Sequence, residues 1–283
     1  MRNFLNLISA FFFTFCAIAQ RNDLQWPIDP PHVITGNYGE LRHNHFHAGM
    51  DFSTNNRLGV PLYSIADGYI SRIKISAVGY GKSIYITHLN GKVSVYAHMN
   101  SLIPKVSDFV RKEQYARKSF EIDIKLEPDQ FRVKRRELIG FSGNSGSSTG
   151  PHLHFEIRDE QSETPLNPLL FYTVDDKTSP VLNRIAFYNL SDTCSPKFIK
   201  QYRTKRTKGD TLTLCKDSVI LHQGILGIAY SGYDQFRSAG NRNNIFGARV
   251  YYDNVMVYSH KLDKIDFKDA RFVNEFTDTQ EKF

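Results

Sequence analysis

The stretch His152-Leu153-His154-Phe155-Glu156-Ile157 constrains this chain more than any other. Its polar and apolar residues alternate strictly. A β-strand satisfies that pattern, with Leu153, Phe155 and Ile157 on one face and His152, His154 and Glu156 on the other. Two imidazoles side by side on a strand make a metal half-site, because alternate side chains converge on one point. A Gly/Ser-rich loop, running from Gly143 to Pro151, delivers the chain into this strand. The expectation is a β protein with an apolar core under one face and polar chemistry on the other.

The same texture extends from Trp26 to about Tyr172. Ile70 to Ile75, Ser83–Leu89 and Val93–His98 are runs of β-branched, aromatic and alternating residues. Asn90-Gly91 separates the last two and predicts a two-residue hairpin turn. That turn sets Leu89 opposite Lys92 and Ser83 opposite His98. Ile84, Ile86, Val93, Val95 and Ala97 then share a core face, and Tyr85, Thr87, Ser94, Tyr96 and His98 share a polar one. His88 falls on the apolar side as a packed core histidine. Residues 105–137 carry ten basic and seven acidic residues and read as an inserted, mostly exposed segment, helical around Asp108–Phe120.

After the polar stretch Asp175–Pro180, strands resume at Val181–Tyr188, Ser218–Tyr230, Ala248–Val250 and Val255–His260. They predict a first domain over 20–174 and a second, β-sandwich-like module over 180–283. The charged end from Thr277 to Phe283 offers no terminal element, so an incomplete module is expected. Composition agrees with a strand-rich globular chain: 21 Phe and 15 Tyr stand against one Trp, and 41% apolar with 23% charged residues excludes wholesale disorder.

At the N-terminus, Arg2 precedes an apolar run from Leu5 to Ile18, and Ala17-Ile18-Ala19 supplies small residues. This predicts a secretory signal peptide over 1–19. The run is about 14 residues long, short of the roughly 20 that span a bilayer. Phe15 before Cys16 is too large for a lipid-anchoring site. Export to the periplasm or beyond the cell, with no stable membrane anchor after cleavage, is therefore expected. The net charge of +7 suits an anionic polymer, and no sequence motif points to nucleic acid. Cys194 and Cys215 remain after cleavage, and an oxidising compartment would allow them to pair. Two unpaired cysteines are the alternative.

Two further clusters join the His-x-His strand. His47-Ala48-Gly49-Met50-Asp51 offers an imidazole and a carboxylate, and Tyr96-Ala97-His98 brings a third histidine out of the hairpin. Two histidines and one carboxylate would leave a fourth zinc position open, which is the layout of a catalytic site. No cysteine lies in this region, so a thiolate site is excluded. His43 and His45 are alternative ligands, although neither has Asp51 at the matching spacing. Arg42 and Asn144 are candidate substrate contacts. His32, His222 and His260 carry no pattern.

The three clusters, with Ala66-Asp67-Gly68, Gly79-Tyr80-Gly81 and the Asn90-Gly91 hairpin, resemble the lysostaphin/LytM-type zinc endopeptidases that cut peptidoglycan cross-bridges. The resemblance covers about residues 33–171. It implies a compact all-β metallopeptidase domain of the barrel-sandwich type, one zinc ion, and His47, Asp51 and His154 as its ligands. It also implies His98 and His152 as the catalytic histidines that do not bind metal. The implied substrate is the peptide of peptidoglycan, with the C-terminal module contacting protein or wall. One departure is plain: the family usually has a Lys-x-Gly turn here, and this chain reads Lys134-Arg135-Arg136. Some relatives have lost ligands and serve as scaffolds that activate an amidase. All five positions are filled in this chain, which favours an enzyme.

Overall fold

The computed structural model describes residues 24–174, 176, 178–192, 196–208, 211–215, 224–236 and 240–277. The expected signal peptide and Cys194 lie outside them. Cys215 is exposed. Among the described residues no helix is long and apolar enough to cross a membrane.

The first part of the chain is built from β1 (Ile34–Gly36), β2 (Met50–Ser53), β3 (Pro61–Tyr63), β4 (Gly68–Ile75), β5 (Lys82–His88), β6 (Lys92–Ala97), β7 (Ser101–Leu102), α1 (Pro104–Arg117), β8 (Ile122–Lys125), β9 (Arg132–Val133), β10 (Leu138–Phe141), β11 (His152–Asp159) and β12 (Pro165–Leu166). One antiparallel sheet runs in the order β1-β2-β11-β6-β5-β4-β8, with β12 and β9 on its margins, and a small sheet β3-β10-β7 lies apart from it. None of these sheets closes into a barrel. β11 sits between β2 and β6, with His154 opposite both Asp51 and Ala97, and Phe155 opposite both Met50 and Tyr96. Residues directly opposite share a face. Met50, Phe52, Leu153, Phe155, Ile157, Tyr96, Ile84 and Ile86 therefore lie on the apolar side, and all belong to the main buried cluster. Burying one such Phe or Ile stabilises the fold by about 1.5–3 kcal/mol.

The β5–β6 hairpin corrects the expected register. Ile84 faces Tyr96 and Ile86 faces Ser94, one residue away from the pairing a two-residue turn would give. Leu89, Asn90 and Gly91 form a three-residue loop instead, with Gly91 in the left-handed region at φ 72° and its N–H on the His88 carbonyl. A slip of one residue exchanges faces. Tyr96 and Ser94 join Ile84 and Ile86 in the core, while Val93, Val95 and Ala97 lie with Tyr85 and Thr87 on the other side. His88 is buried as expected, its ring bonded to the Asp67 carbonyl and to Ser94 Oγ.

Residues 105–137 are mostly exposed and carry the expected helix, but they are tied into the fold rather than inserted beside it. Val106 and Val110 of α1, with Ile122, Ile124, Leu126, Phe131 and Val133, pack into the main core. β8 and β9 both pair with β4 and extend the sheet. The charges occupy the outer sides of these elements, as in the Arg72–Asp123 pair at 2.5 Å. Arg136, where the resemblance expects glycine, takes φ 69° itself. An ion pair to Asp29 and a stack 4.2 Å over the Tyr63 ring hold it there.

Beyond residue 180, β13 (Val181–Asn189), β14 (Lys197–Arg206), β15 (Leu212–Leu214) and β16 (Leu226–Tyr233) form a sheet in the order β15-β14-β13-β16. β17 (Gly247–Tyr252) and β18 (Val255–Lys261) form a separate hairpin. β14, with its many lysines and arginines, is a strand that sequence periodicity did not reveal. The start of the expected Ser218–Tyr230 strand lies outside the described residues. The tail returns to the first sheet: Asn167 Nδ2 donates to the Leu262 carbonyl at 2.9 Å, and Phe46 packs on Ala270, Val273 and Phe276.

Candidate metal centre

His47, Asp51 and His154 converge on the polar face of the first sheet, and all three are buried. Asp51 Oδ1 is 3.1 Å from His47 Nε2 and 3.0 Å from His154 Nδ1, and those two nitrogens are 3.0 Å apart. The hydrogens can be assigned from the outer partners. His47 Nδ1 is 2.8 Å from the Asn37 carbonyl, which can only accept, so Nδ1 carries the proton and Nε2 a lone pair. His154 Nε2 is 2.8 Å from the Glu156 carboxylate and donates to it, leaving a lone pair on Nδ1. Three acceptors thus face one another, and only a cation or a proton makes that arrangement favourable. Tetrahedral ligands about 2.0–2.1 Å from zinc stand about 3.3 Å from each other, close to this triangle. The donor set fits a zinc ion.

Charge tells the same story. Burial works against ionising Asp51, but His47 and His154 overcome it and hold the carboxyl well below the usual range. Burial also disfavours a charged His154, yet Asp51 and Glu156 outweigh it and push this imidazole up to about 9. The pocket demands positive charge, and in the metal-free form a proton on His154 supplies it. Metal binding must displace that proton.

Outer residues brace the triangle. Glu156 is fully buried between His154 and Arg158, whose Nε lies 2.6 Å from the other carboxylate oxygen. Tyr80 donates its hydroxyl to Glu156 as well. A carboxylate behind a ligating histidine fixes its tautomer and its aim. Arg42, a candidate substrate contact, donates to Asp51 Oδ2 at 2.9 Å and pairs with Glu40 at 2.8 Å. The alternation of β11 hinted at Glu156. The same alternation reaches Arg158, and Tyr80 comes from the Gly79-Tyr80-Gly81 turn by tertiary approach; neither was expected at the site. Gly49 is required beside them, because a Cβ there would lie 2.4 Å from the Phe155 carbonyl and 2.8 Å from Glu156 Cγ.

His98 and His152 flank the triangle with ring centres 4.8 Å apart. Continued alternation along β6 would send His98 into the core with Tyr96. The strand ends at Ala97, and His98 takes φ 58°, which returns its ring to the polar face. Such a backbone costs about 1–2 kcal/mol and needs external support. The glycine-rich loop provides it: His98 Nδ1 donates to the Ser145 carbonyl at 2.8 Å, and Ser145 Oγ donates to the Met99 carbonyl at 2.9 Å. Gly81 and Gly146, both at positive φ, let the two turns cross where a Cβ would meet backbone at 2.3–2.5 Å. His152 Nδ1 likewise donates to the Gly150 carbonyl at 2.8 Å, and its Nε2 is 3.6 Å from Asp51 Oδ1. Burial, reinforced by His154, pushes His98 down to about 4, so it is neutral at pH 7. His43, His45 and Asn144 are exposed and stand outside the cluster.

Residues 45–118 and 121–168 match the model of Peptidase family M23. This region is similar to the M23 peptidases. The M23 match agrees with the curated relatives. The chain is 34% identical over 111 residues to an uncharacterized metalloprotease of Buchnera aphidicola, covering 39% of this chain and 23% of that one. It is 32% identical over 123 residues to the DD-carboxypeptidase/endopeptidase Mpg of Neisseria meningitidis, covering 44% and 22%. The glycyl-glycine endopeptidase ALE-1 of Staphylococcus capitis is 32% identical over 111 residues, covering 39% and 24%. The chain thus spans under a quarter of the length of these relatives. Among solved structures, the catalytic domain of lysostaphin from Staphylococcus simulans is 25% identical with a TM-score of 0.37, covering 50% of this chain and 91% of that one. The M23 region holds the whole triangle and both flanking histidines.

Proposed function

We propose that this protein is an exported zinc endopeptidase that hydrolyses peptide cross-links of bacterial peptidoglycan. The observation that carries the reading is the triangle of two imidazole lone pairs and one carboxylate oxygen, with two further imidazoles on the same face. His47 Nε2, His154 Nδ1 and Asp51 Oδ1 would hold the ion. When bound, zinc supplies a Lewis acid that polarises a carbonyl and acidifies water at neutral pH.

The chain's own residues supply the proton steps. His152 presents an unprotonated Nε2 to the cleft, because Gly150 holds its Nδ1–H. It takes the proton of the attacking water and returns it to the leaving amine. His98 has the same tautomer through Ser145, so its Nε2 offers a second acceptor on this face, able to take the water proton in place of His152. Glu156, Arg158 and Tyr80 hold the aim of His154 throughout.

The relatives' names include both a DD-endopeptidase of Vibrio cholerae and a glycyl-glycine endopeptidase, which supports a cell-wall peptide as the substrate class. The zinc-loaded chain, incubated with purified muropeptides, should release cleaved cross-links detectable by mass spectrometry. Unchanged muropeptides of every cross-link type would overturn the reading.

A further inference from the structure

The loop that carries His47 is held from two sides, and one of them is the C-terminal module. Within the loop, the Asn37 carbonyl accepts from His47 Nδ1 at 2.8 Å, Gly39 N–H donates to the His47 carbonyl at 2.9 Å, and His47 N–H donates to the Glu40 carbonyl at 2.8 Å. The turn 37–40 therefore sets both the backbone and the ring of this histidine. Asn244, 207 residues away in sequence from Asn37, grips the same turn. Its main chain pairs with the Asn37 amide in both directions, at 2.8 Å to the Asn244 carbonyl and 2.9 Å from the Asn244 N–H. Its side-chain Nδ2 donates to the Gly39 carbonyl at 2.7 Å, and its Oδ1 is held by Ile245 N–H at 2.9 Å. Asn37 is buried, so these bonds have no ready replacement by water. On the far side of His47, Phe46 N–H donates to the Ala270 carbonyl at 3.0 Å.

We infer that Asn244 is a positioning residue for the metal ligand His47, so that the C-terminal module completes the metal centre of the M23 domain. The inference rests on the zinc reading proposed above. Its physical content is simple. A ligand orients a metal as well as its own outer bonds orient the ligand, and loss of such support costs about 10–100-fold in metal affinity. Asn244 acts on His47 through Asn37 and Gly39, and touches no reacting atom.

The test measures zinc affinity of the full chain by competition with a chromophoric chelator, with cobalt(II) absorption as a second readout of ligand geometry. Asn244→Ala should weaken zinc about 10-fold and alter the cobalt spectrum. Asn244→Asp, which keeps the shape and the main-chain pair but turns the Gly39 donor into an acceptor, should do the same. Asn241→Ala removes a bond of 3.3 Å to the Thr35 carbonyl in the same contact, away from the turn, and should keep the parent's affinity. Thermal melts of the metal-free variants identify any that do not fold, in which case the isosteric Asp variant decides. Parent-like zinc affinity and cobalt spectrum in folded Asn244→Ala or Asn244→Asp would overturn the inference, as would an equal loss in Asn241→Ala. If the parent itself binds no zinc while folded, the metal reading fails instead, and His47→Ala, which must lose zinc in any case, separates these outcomes.

Discussion

Replacing Glu156 by Gln removes one charge and almost no volume from the most buried carboxylate in the metal centre. Its two oxygens accept from His154 Nε2 at 2.8 Å and Arg158 Nε at 2.6 Å, and both partners are themselves buried. An amide can accept with one atom only, so the other points a donor at a donor, and Arg158 is left with Tyr80 Oη at 3.5 Å. Breaking a buried pair by removing one partner costs about 3–5 kcal/mol. A second route gives a similar figure. Burial would raise the Glu156 carboxyl, but Arg158 and His154 prevail and bring it down to about 2 from an ordinary 4.5. That difference is worth about 3 kcal/mol of stability at neutral pH. The contribution is present in full above about pH 4.5 and is lost as the pH falls toward 2. Urea titration of metal-free protein should therefore show Glu156→Gln less stable than the parent by about 3–5 kcal/mol at pH 7. The gap should narrow steadily below pH 4.5. In thermal melts it should amount to roughly 6–20 °C. Equal stability at pH 7, or a gap that stays constant down to pH 2, would refute the argument that this ion pair is what keeps the charge buried.

Three further outcomes are expected. His47→Ala, Asp51→Ala and His154→Ala should lose zinc and activity together, while His98→Ala and His152→Ala should keep zinc and lose roughly 10²–10⁴ in turnover; metal analysis beside kinetics would expose an inverted assignment within the His-x-His pair. Burial holds His88 down at about 4 against the ordinary 6.5, so its share of stability, about 3 kcal/mol, is full above pH 6.5 and lost as the pH falls through 4; the difference between parent and His88→Gln in denaturant titrations should shrink over that window. Gly49→Ala would force a Cβ to within 2.4 Å of the Phe155 carbonyl, so it should destabilise the fold by about 1–3 kcal/mol and weaken zinc, measured by melting and chelator competition.

The legible parts of this molecule were those with a local period. The two faces of β11 could be read from six residues, and so could the convergence of His47, Asp51 and His154 once the family resemblance tied their segments together. Register was not legible, because Asn90-Gly91 serves a two-residue turn and a three-residue loop equally well, and the choice depends on how β4 and β11 clamp the hairpin. His98 was expected on the site face, and it is there. The expected reason fails, since the strand's own alternation points it into the core and one left-handed residue reverses it. Residues 105–137 are as exposed and helical as expected, but their many charges hid their tie to the sheet, although Ile122-Asp123-Ile124-Lys125-Leu126 carries an alternation that marks the sheet edge. Arg158 shares the even face of β11 and was open to the same reading, whereas the contacts of Tyr80 with Glu156 and of Asn244 with Asn37 exist only after distant segments have packed.

The strand at the centre of the sheet carries a consequence for how such a protein can change. In β11 the odd positions 153, 155 and 157 fill the core and the even positions 152, 154, 156 and 158 line the metal centre. The pleat therefore works like a reading frame of two. A substitution changes one letter in one of the two messages. Deleting a single residue near the start of the strand would shift every later side chain to the opposite face, turning Phe155 toward the metal and a carboxylate into the oil, and would destroy stability and chemistry at once. Length can vary without that penalty only where no strand is read on both sides, as in the loops at the margins of the sheet. Insertions should accumulate there, while β11 keeps its count.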